Sequence, residues 1–432
     1  MIFTHDKNIP ITGELIAEFI EQHKLLLPKY IESKNMYEGN HDILFREARE
    51  VYKPDNRLVV NFAKKIVDTF NGYFIGVPVK ITHENDELQE TVNEFVNRNG
   101  LDDQDSELSK ACSIYGHSYE YLYQDESART RVLAKTPLDT FVVYDESALG
   151  SRLFGVTYFY DKEDKFVGEL VDDTYRYDLT ANDKGEISLV DGVPHYYGGV
   201  PMVEYIENEE RQCIFEGVKS LINAFNEALS AKSDDIAYFS DAYLVVKGAA
   251  LDEETMKELR ANKTINLVGD NTDKVTIEFL QKPDADGSQE NLLNRLTTLI
   301  YDTAMVTNTN DEFFSKAPSG VSLEFKLQDM NNMAINKERK FKRSMKRRFK
   351  LMFALISNVP TAQREEWYNL GFVFTRNIPR NKLAEIEMAA KAEGIVSHKT
   401  QLEMISVVDD ANAELELIAE ENKAPEVYDF EK

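Results

Sequence analysis

Residues 307–326 read TNTNDEFFSKAPSGVSLEFK. This segment is the main guide to the fold, because it lies between two long regions in which apolar residues recur at helical spacing. Its first part is polar and closes with Pro318 and Gly320, which end regular structure. It is also longer than an ordinary helix–helix connection of about 2–8 residues. We therefore predict an irregular loop over residues 307–319 and, after it, a long helix over residues 321–358.

Upstream of the loop, the pattern predicts two helices around an insertion. Apolar residues recur at helical spacing in residues 214–240 and 287–306, which predicts one helix in each range. Between them, residues 241–286 carry short β-rich runs and one helical run, which predicts a small mixed insertion. Because the insertion joins neighbouring helices, we expect it at the end of the helix pair.

In the first half of the chain, the spacing of the apolar residues changes near residue 115. Short runs rich in Tyr, Val and Phe then alternate with turns up to residue 206, which predicts an antiparallel β subdomain. The chain after the long helix is again helical, and its end is acidic. We predict an α+β protein that is mainly helical. Helical segments precede the β subdomain at residues 12–38, 56–75, 87–97 and 102–114.

The composition and the absence of known motifs argue against several functional classes. The 432 residues include 50 Lys and Arg against 76 Asp and Glu, a formal charge of −26 that disfavours non-specific coating of nucleic acid. The sequence has no G-x-x-x-x-G-K-[ST], G-x-G-x-x-G, H-E-x-x-H or C-x-x-C motif. No apolar run is long enough to span a bilayer. We expect no catalytic residue, metal, cofactor or membrane partner.

One stretch of this acidic sequence is strongly basic. Residues 337–350 contain nine Lys and Arg and one Glu, a local charge of +8 against −34 for the remainder. Such a stretch can contact phosphates, or it can dock onto an acidic neighbour in the same chain or in another subunit. The −34 available elsewhere favours docking. The residues predicted to make these inter-subunit or phosphate contacts are Arg339, Lys342, Arg343, Lys346 and Arg347.

The order of these pieces, with several short segments, resembles the SPP1-type portal proteins of tailed bacteriophages, the head–tail connector family. The segments are residues 56–62 (NRLVVNF), 75–79 (IGVPV), 115–121 (YGHSYEY), 198–205 (GGVPMVEY), 319–326 (SGVSLEFK) and 393–400 (EGIVSHKT). The resemblance covers the chain from about residue 15 to residue 421.

The resemblance implies the portal fold and its division into named parts. The wing takes residues 1–213, including the β subdomain over 115–206, and the crown and acidic tail take residues 372–432. The parts between them are stem helices at 214–240 and 287–306, a clip at 241–286, a tunnel loop at 307–319 and a long kinked wing helix at 320–371.

The resemblance also implies a function. Portal proteins of this family form a ring, usually of twelve subunits, at one capsid vertex, and double-stranded DNA passes through it during packaging and ejection. The implied partners are other copies of the chain, DNA, the terminase large subunit, the head–tail adaptor, and the major capsid and scaffolding proteins. The implied location is the virion, with the host cytoplasm during assembly. ATP hydrolysis would belong to the terminase, so the chain would not be an enzyme.

Within the tunnel loop, the resemblance makes Lys316 the candidate for DNA contact, with Asn308 and Asn310 as possible hydrogen-bond partners. Lys316 is the only basic residue of the loop, and the alternative is an exposed lysine without a partner. Phe313 and Phe314 would pack the loop against neighbouring subunits or against the long helix of the same chain.

Two other functions stay open from the sequence. One is a nucleic-acid-processing enzyme without a readable motif. The other is another head-assembly scaffold protein that associates through a coiled coil. The apolar stripe over residues 321–357 argues against the coiled coil because it follows a 3.6-residue period rather than sustained heptads.

Overall fold

The computed structural model describes residues 2–49, 54–240, 244–247, 276–279, 286–308, 325–378, 382–405, 407–408 and 411–421. These residues form two compact units. The first unit contains the described residues up to Asn308 together with Gln328–Thr375, and the second contains the remainder. The tunnel-loop residues Asn310, Phe313, Phe314 and Lys316 lie outside the described residues, as does most of the predicted insertion.

The first unit contains most of the helices. A single helix was predicted over 12–38, but the structure has two, because Pro28 in the first turn of the second helix lacks the amide that would continue the first. The helices are α1 (Gly13–Lys24), α2 (Leu27–Glu38), α3 (Phe62–Ile75), α4 (Asp86–Asn99), α5 (Leu101–Tyr115), α6 (Lys219–Ser240), α7 (Asp286–Ala304) and α8 (Gln328–Ala354).

The helix predicted from residue 56 begins only at Phe62, where the Asn61 side chain caps it by accepting from the Lys64 amide at 2.9 Å. The preceding residues 56–60 lie along α6 instead. The amides of every second residue in this segment donate to α6 side chains that are spaced by four residues. The backbone of the segment is therefore bonded to α6 and does not form the hydrogen bonds of a helix of its own. The bonds are Asn56 N to Asp234 Oδ1 (2.6 Å), Leu58 N to Ser230 Oγ (2.9 Å) and Val60 N to Asn226 Oδ1 (2.8 Å).

The strands form two main sheets. A six-stranded sheet has the order β1-β5-β6-β7-β8-β9, and a three-stranded sheet has the order β10-β3-β4. The strands of these sheets are β1 (Phe3–His5), β3 (His117–Gln124), β4 (Thr130–Lys135), β5 (Thr140–Asp145), β6 (Arg152–Tyr160), β7 (Phe166–Val171), β8 (Tyr175–Ala181), β9 (Ile187–Pro194) and β10 (Met202–Ile206).

The pairs among the strands between residues 117 and 206 are all antiparallel. Strand β1, which lies outside the predicted range, joins the larger sheet parallel to β5, with Thr4 opposite Tyr144. Three residues are too few to show a strand period in the sequence. Two small pairs complete the first unit. Strand β2 (Lys80–Thr82) pairs with β13 (Gly371–Val373), and β11 (Leu244–Lys247) pairs antiparallel with β12 (Thr276–Phe279).

Two cores hold the first unit together. In one, α1 packs Ile16, Phe19 and Ile20 against the six-stranded sheet. In the other, the apolar stripe of α8 is fully buried, with the Phe341 ring 4.6 Å from that of Tyr205 on β10. The Phe349 ring on the same stripe lies 5.8 Å from that of Phe95 on α4. Burial of each such side chain contributes about 1.5–3 kcal/mol.

Helix α8 ends at Ala354, four residues before the predicted end at residue 358. The Asn358 amide group donates to the Met352 carbonyl at 2.9 Å and so satisfies a terminal acceptor. Pro360 then opens a 3-10 segment over Thr361–Asn369, which leads into β13. Among its described residues, the predicted range 320–371 is thus divided between α8, the 3-10 segment and the start of β13.

The second unit contains α9 (Lys382–Lys391), α10 (His398–Glu403) and α11 (Ala411–Glu421). Ser397 caps α10 by accepting from the Thr400 amide at 3.2 Å, and the Gln401 side chain donates to the Ala389 carbonyl of α9. The whole chain is mainly helical with its strands concentrated between residues 117 and 206, which confirms the α+β class.

Candidate functional site on the basic helix

The nine basic residues of α8 differ in burial because they are distributed around the helix. Lys337 and Arg348 lie on the apolar stripe and are buried, whereas Arg339, Arg343 and Lys350 are exposed. The basic stretch therefore divides into an internal part, which fixes the helix, and an external part, which is available for contacts.

The internal Lys337 is enclosed by polar groups of α5 and of the chain after β10. Its ammonium donates to the Ser109 carbonyl at 3.0 Å and to Ser113 Oγ at 2.9 Å, and it pairs with Glu207 at 2.6 Å. A buried ammonium is costly unless it is paired and hydrogen-bonded. This lysine therefore fixes α8 against α5.

Arg348 is 0% exposed and is the largest fully buried side chain of the described residues. Its Nε lies 2.9 and 2.8 Å from the two carboxylate oxygens of Glu120 on β3, and Nη2 bonds Asp105 on α5. Burial lowers the pKa of Arg348, but the two carboxylates outweigh it and raise the pKa well above its ordinary value. Burial also raises the pKa of Glu120, against the opposing effect of Arg348.

A third buried pair organises the end of β10. Arg211 donates to Glu204 through Nε at 2.7 Å and Nη2 at 2.9 Å, and the Tyr144 hydroxyl donates to the same carboxylate. Burial raises the pKa of Glu204, but the hydrogen bonds and charge of Arg211 outweigh it, so the pKa is lowered. The α8 residue Ser344 donates to the Glu204 carbonyl at 2.6 Å, which ties the helix to β10.

The external part of the helix forms one wall of a groove of about 900 Å³. Arg343, Lys346, Arg347 and Lys350 line it, and residues at these spacings share one helix face. The loop between β5 and β6 forms a second wall, and Trp367 and Tyr368 of the 3-10 segment form a third.

Two aromatic rings and one backbone carbonyl contact three of the basic side chains that line the groove. The Lys346 ammonium lies 5.2 Å from the Tyr368 ring centre, and that of Lys350 lies 5.4 Å from the Trp367 ring centre. Arg347 donates through Nη2 to the Val200 carbonyl at 3.2 Å. Burial, with the nearby charge of Arg152, lowers the pKa of Arg347 to about 10.

The remaining predicted site residues lie apart from the groove. Lys342 pairs with Glu338 one turn away at 2.7 Å, and its ammonium lies 5.6 Å from the Phe374 ring centre. Arg339 is exposed. Asn308 is half-buried at the end of the described segment that follows α7. The structure thus brings Arg343, Lys346 and Arg347 together and leaves Arg339 and Lys342 outside the groove.

Sequence reasoning missed the residues that fix this helix. Lys337 stands four positions before Phe341, and Arg348 stands three positions after Met345, so both fall on the predicted apolar face. That placement was a readable signal of burial. Their partners Asp105, Glu120 and Glu207 carry no local signal because they are more than one hundred residues away in sequence.

No group of three or more His, Cys, Asp and Glu among the described residues is arranged to hold a metal ion. No helix in the described ranges is long and apolar enough to cross a membrane.

Comparison with known proteins identifies the family. The model of the family described as "Phage portal protein, SPP1 Gp6-like" matches residues 16–426. The chain belongs to this portal protein family. Portal proteins are structural, so the expectation that the chain is not an enzyme is confirmed, as is the resemblance to the SPP1-type family. They form oligomeric rings at the capsid vertex and are components of the virion.

Two curated relatives are portal proteins. That of Clostridium phage phiCD119 is 23% identical over 95% of this chain and 96% of its own length. That of Bacillus phage SPP1 is 25% identical over 85% of this chain and 76% of its own length. A solved structure described as "Neck of empty GTA particle computed with C6 symmetry" aligns with 79% of this chain and 89% of its own, at 10% identity and a TM-score of 0.48.

Proposed function

We propose that this portal-family chain forms a ring, usually of twelve subunits, at one capsid vertex and conducts double-stranded DNA during packaging and ejection. The observation that carries the proposal is the family match over nearly the whole chain. In this proposal the terminase large subunit and later the head–tail adaptor dock on the ring, and capsid and scaffolding proteins surround it. Assembly takes place in the host cytoplasm.

The helix pair α6 and α7 supports the assignment of stem and clip. The end of α6 meets the start of α7, with Lys232 and Glu290 at 2.5 Å and Gln289 donating to Asp235 at 3.1 Å. At about 1.5 Å per residue, the 22 and 19 residues of these helices span about 33 and 28 Å. The strand pair β11–β12 belongs to the chain between them, so it would be presented at the end of the stem, as a docking clip requires.

The charge of the chain supports the role of a conduit. With −26 per subunit, a channel wall repels the DNA phosphates at every register. No single position then becomes a deep binding site, and the duplex can slide.

We assign residues 1–213 and 320–371 to the wing, 307–319 to the tunnel loop and 372–432 to the crown and acidic tail.

Electron microscopy of the purified protein tests the ring. Negative staining should show closed rings with a central hole, and sedimentation should show a matching large species. A protein that remains monomeric at high concentration, both alone and with its scaffolding and capsid partners, would contradict the proposal.

The tunnel loop is tested by Lys316→Ala, with Lys184→Ala on an exposed hairpin tip as the matched control. Phage carrying Lys316→Ala should assemble rings normally but protect less DNA from nuclease inside the head, because the loop's only cation is lost. The control should package like the wild type. Equal DNA content in both variants would remove the role of Lys316 in DNA contact.

A further inference from the structure

The groove beside α8 concentrates positive charge that the described residues do not neutralise. Besides Arg211, which pairs with Glu204, five cations line it: Arg152, Arg343, Lys346, Arg347 and Lys350. None of them forms an ion pair with a carboxylate among the described residues. We call this set the groove cations. In a chain of net charge −26, such a set is an exception that requires a physical reason.

The carboxylates that share the groove are largely engaged elsewhere. Glu204 is held by Arg211, and Glu209 pairs with Lys340 at 2.6 Å. Asp145 accepts from Ser147 Oγ at 2.7 Å within its own turn. Only Glu146, which is exposed in the same loop, has no such bond in the described structure. The groove therefore keeps an excess of positive charge.

Two of the groove cations, Arg152 and Arg347, lie close to each other. The Nε atoms of Arg347 and Arg152 are buried, and no acceptor among the described residues lies within hydrogen-bond distance of either. The two side chains are also close enough for the charge of Arg152 to lower the pKa of Arg347. An anion in the groove would offset the like charges of these two neighbouring guanidinium groups.

The chemistry of the walls favours carboxylates of a protein over the phosphates of a duplex. Glu146 and Glu209 on the rim would repel the closely spaced charges of DNA. The groove also carries apolar surface, since Leu149 is 88% exposed and Tyr368 is 69% exposed at its walls. A protein surface with carboxylates spaced by a helical turn can avoid the rim acids and cover these side chains.

The same unit carries a matching acidic surface on α4. Glu84, Asp86, Glu87 and Glu90 are exposed at the start of this helix, and none is in an ion pair among the described residues. We call them the α4 acids. Glu87 and Glu90 lie three residues apart, one helical turn, as do Arg343 and Lys346.

The two surfaces lie on different sides of the first unit. Phe95 of α4 packs on Phe349, which is on the buried stripe of α8, opposite the helix face that lines the groove. The 3-10 segment also separates them, because its Trp367 lines the groove while its Glu366 lies 3.5 Å from His83 beside α4. Complementary patches on different sides of one subunit make head-to-tail contacts, which close into a ring when the rotation permits.

We propose that the groove cations of one subunit bind the α4 acids of the next subunit and so form a charged contact around the ring. The proposal rests on the ring of the proposed function and names a contact within it.

Charge reversal on each surface tests the contact. The groove variant carries Arg343→Glu and Lys350→Glu. The face variant changes two of the α4 acids, with Glu87→Lys and Glu90→Lys. All four side chains are exposed, so each variant should still fold. The control, Lys162→Glu with Lys184→Glu, makes the same change in net charge as the groove variant, on two exposed hairpin tips. Circular dichroism checks the fold of each variant.

Each reversed variant alone should need at least about tenfold more protein to form rings, because like charges then meet at every contact. The control should assemble like the wild type. An equal mixture of the groove and face variants should regain rings, since each contact in an alternating ring with an even number of subunits again joins opposite charges. The fluorescence of Trp367, the only tryptophan, should change when wild-type rings form.

Normal rings from either reversed variant, or a mixture that fails to recover, would overturn the contact while the proposed ring remained. Variants that form normal rings but package less DNA would overturn it in favour of phosphate binding. If the wild type formed no ring with or without its partners, the proposed function itself would fail.

Discussion

Replacement of Arg348 by Met tests how α8 is held in the first unit. The substitution removes the guanidinium but keeps much of the apolar volume of the side chain. It leaves the carboxylates of Glu120 and Asp105 buried, at 0% and 4% exposure, without the cation between them. The matched control is Arg339→Met, which makes the same change on the exposed side of the same helix.

The expected loss is large because one partner of a buried ion pair is removed and the others remain. Such a change costs about 3–5 kcal/mol in unfolding free energy, mostly through the uncompensated buried charge. The control should change stability by less than about 0.5 kcal/mol. Arg348→Met combined with Glu120→Gln should recover at least about 1 kcal/mol, since one of the two buried carboxylates is then neutral.

The loss should also depend on pH. Burial already raises the pKa of Glu120, and removal of Arg348 removes the charge that opposes this. A carboxyl whose pKa is higher in the folded state binds protons more readily there, so its folded state loses stability as the pH rises through that range. The difference between variant and wild type should therefore be larger at pH 8 than at pH 5.

Urea denaturation followed by circular dichroism at pH 5, 7 and 8 measures these differences. A loss of unfolding free energy below about 1 kcal/mol at pH 7 would contradict a stabilising role for the buried ion pairs of Arg348. A loss of equal size in the Arg339→Met control would contradict it as well. A loss that did not change with pH would show that the buried carboxylates are not its cause.

Two further predictions concern the rest of the first unit. Burial lowers the pKa of both His23 and His117 to about 4 from an ordinary 6.5, so the unfolded chain binds protons first as the pH falls. Stability should decrease between pH 6.5 and 4 by about 3 kcal/mol for each histidine, and His117→Gln should reduce this slope in denaturation experiments. Gly116 has φ +89°, and an added Cβ would lie 2.2 Å from the Arg211 carbonyl oxygen. Gly116→Ala should therefore cost about 2–4 kcal/mol in the same assay, while Gly150→Ala, also at positive φ but with open space around it, should cost less.

Much of the fold could be predicted from local sequence patterns. Helices over 87–97 and 102–114, and the β-rich region after residue 115, are present close to their predicted positions. The errors arose where a neighbour replaced the local partner. Residues 56–60 have an apolar spacing that suits a helix, yet their amides bond Asn226, Ser230 and Asp234 of α6, which are far away in the chain.

The candidate site was predicted only in part. The charge run over 337–350 is visible in the sequence, and its apolar period places Lys337 and Arg348 on the buried face. Which carboxylates meet them was not predictable, because Asp105 and Glu120 belong to two other elements. The groove itself is formed by α8, the β5–β6 loop and the 3-10 segment, which lie in three distant parts of the chain.

The family, the order of the elements and the concentration of positive charge in one helix could be predicted before folding was considered, since they depend on residue type and spacing along the chain. Which of these charges are neutralised inside the unit, and which remain available in the groove, follows from the folded structure alone. The physical reason is that the environment of a charge depends on the groups within a few ångströms, and folding brings those groups from remote positions in the sequence.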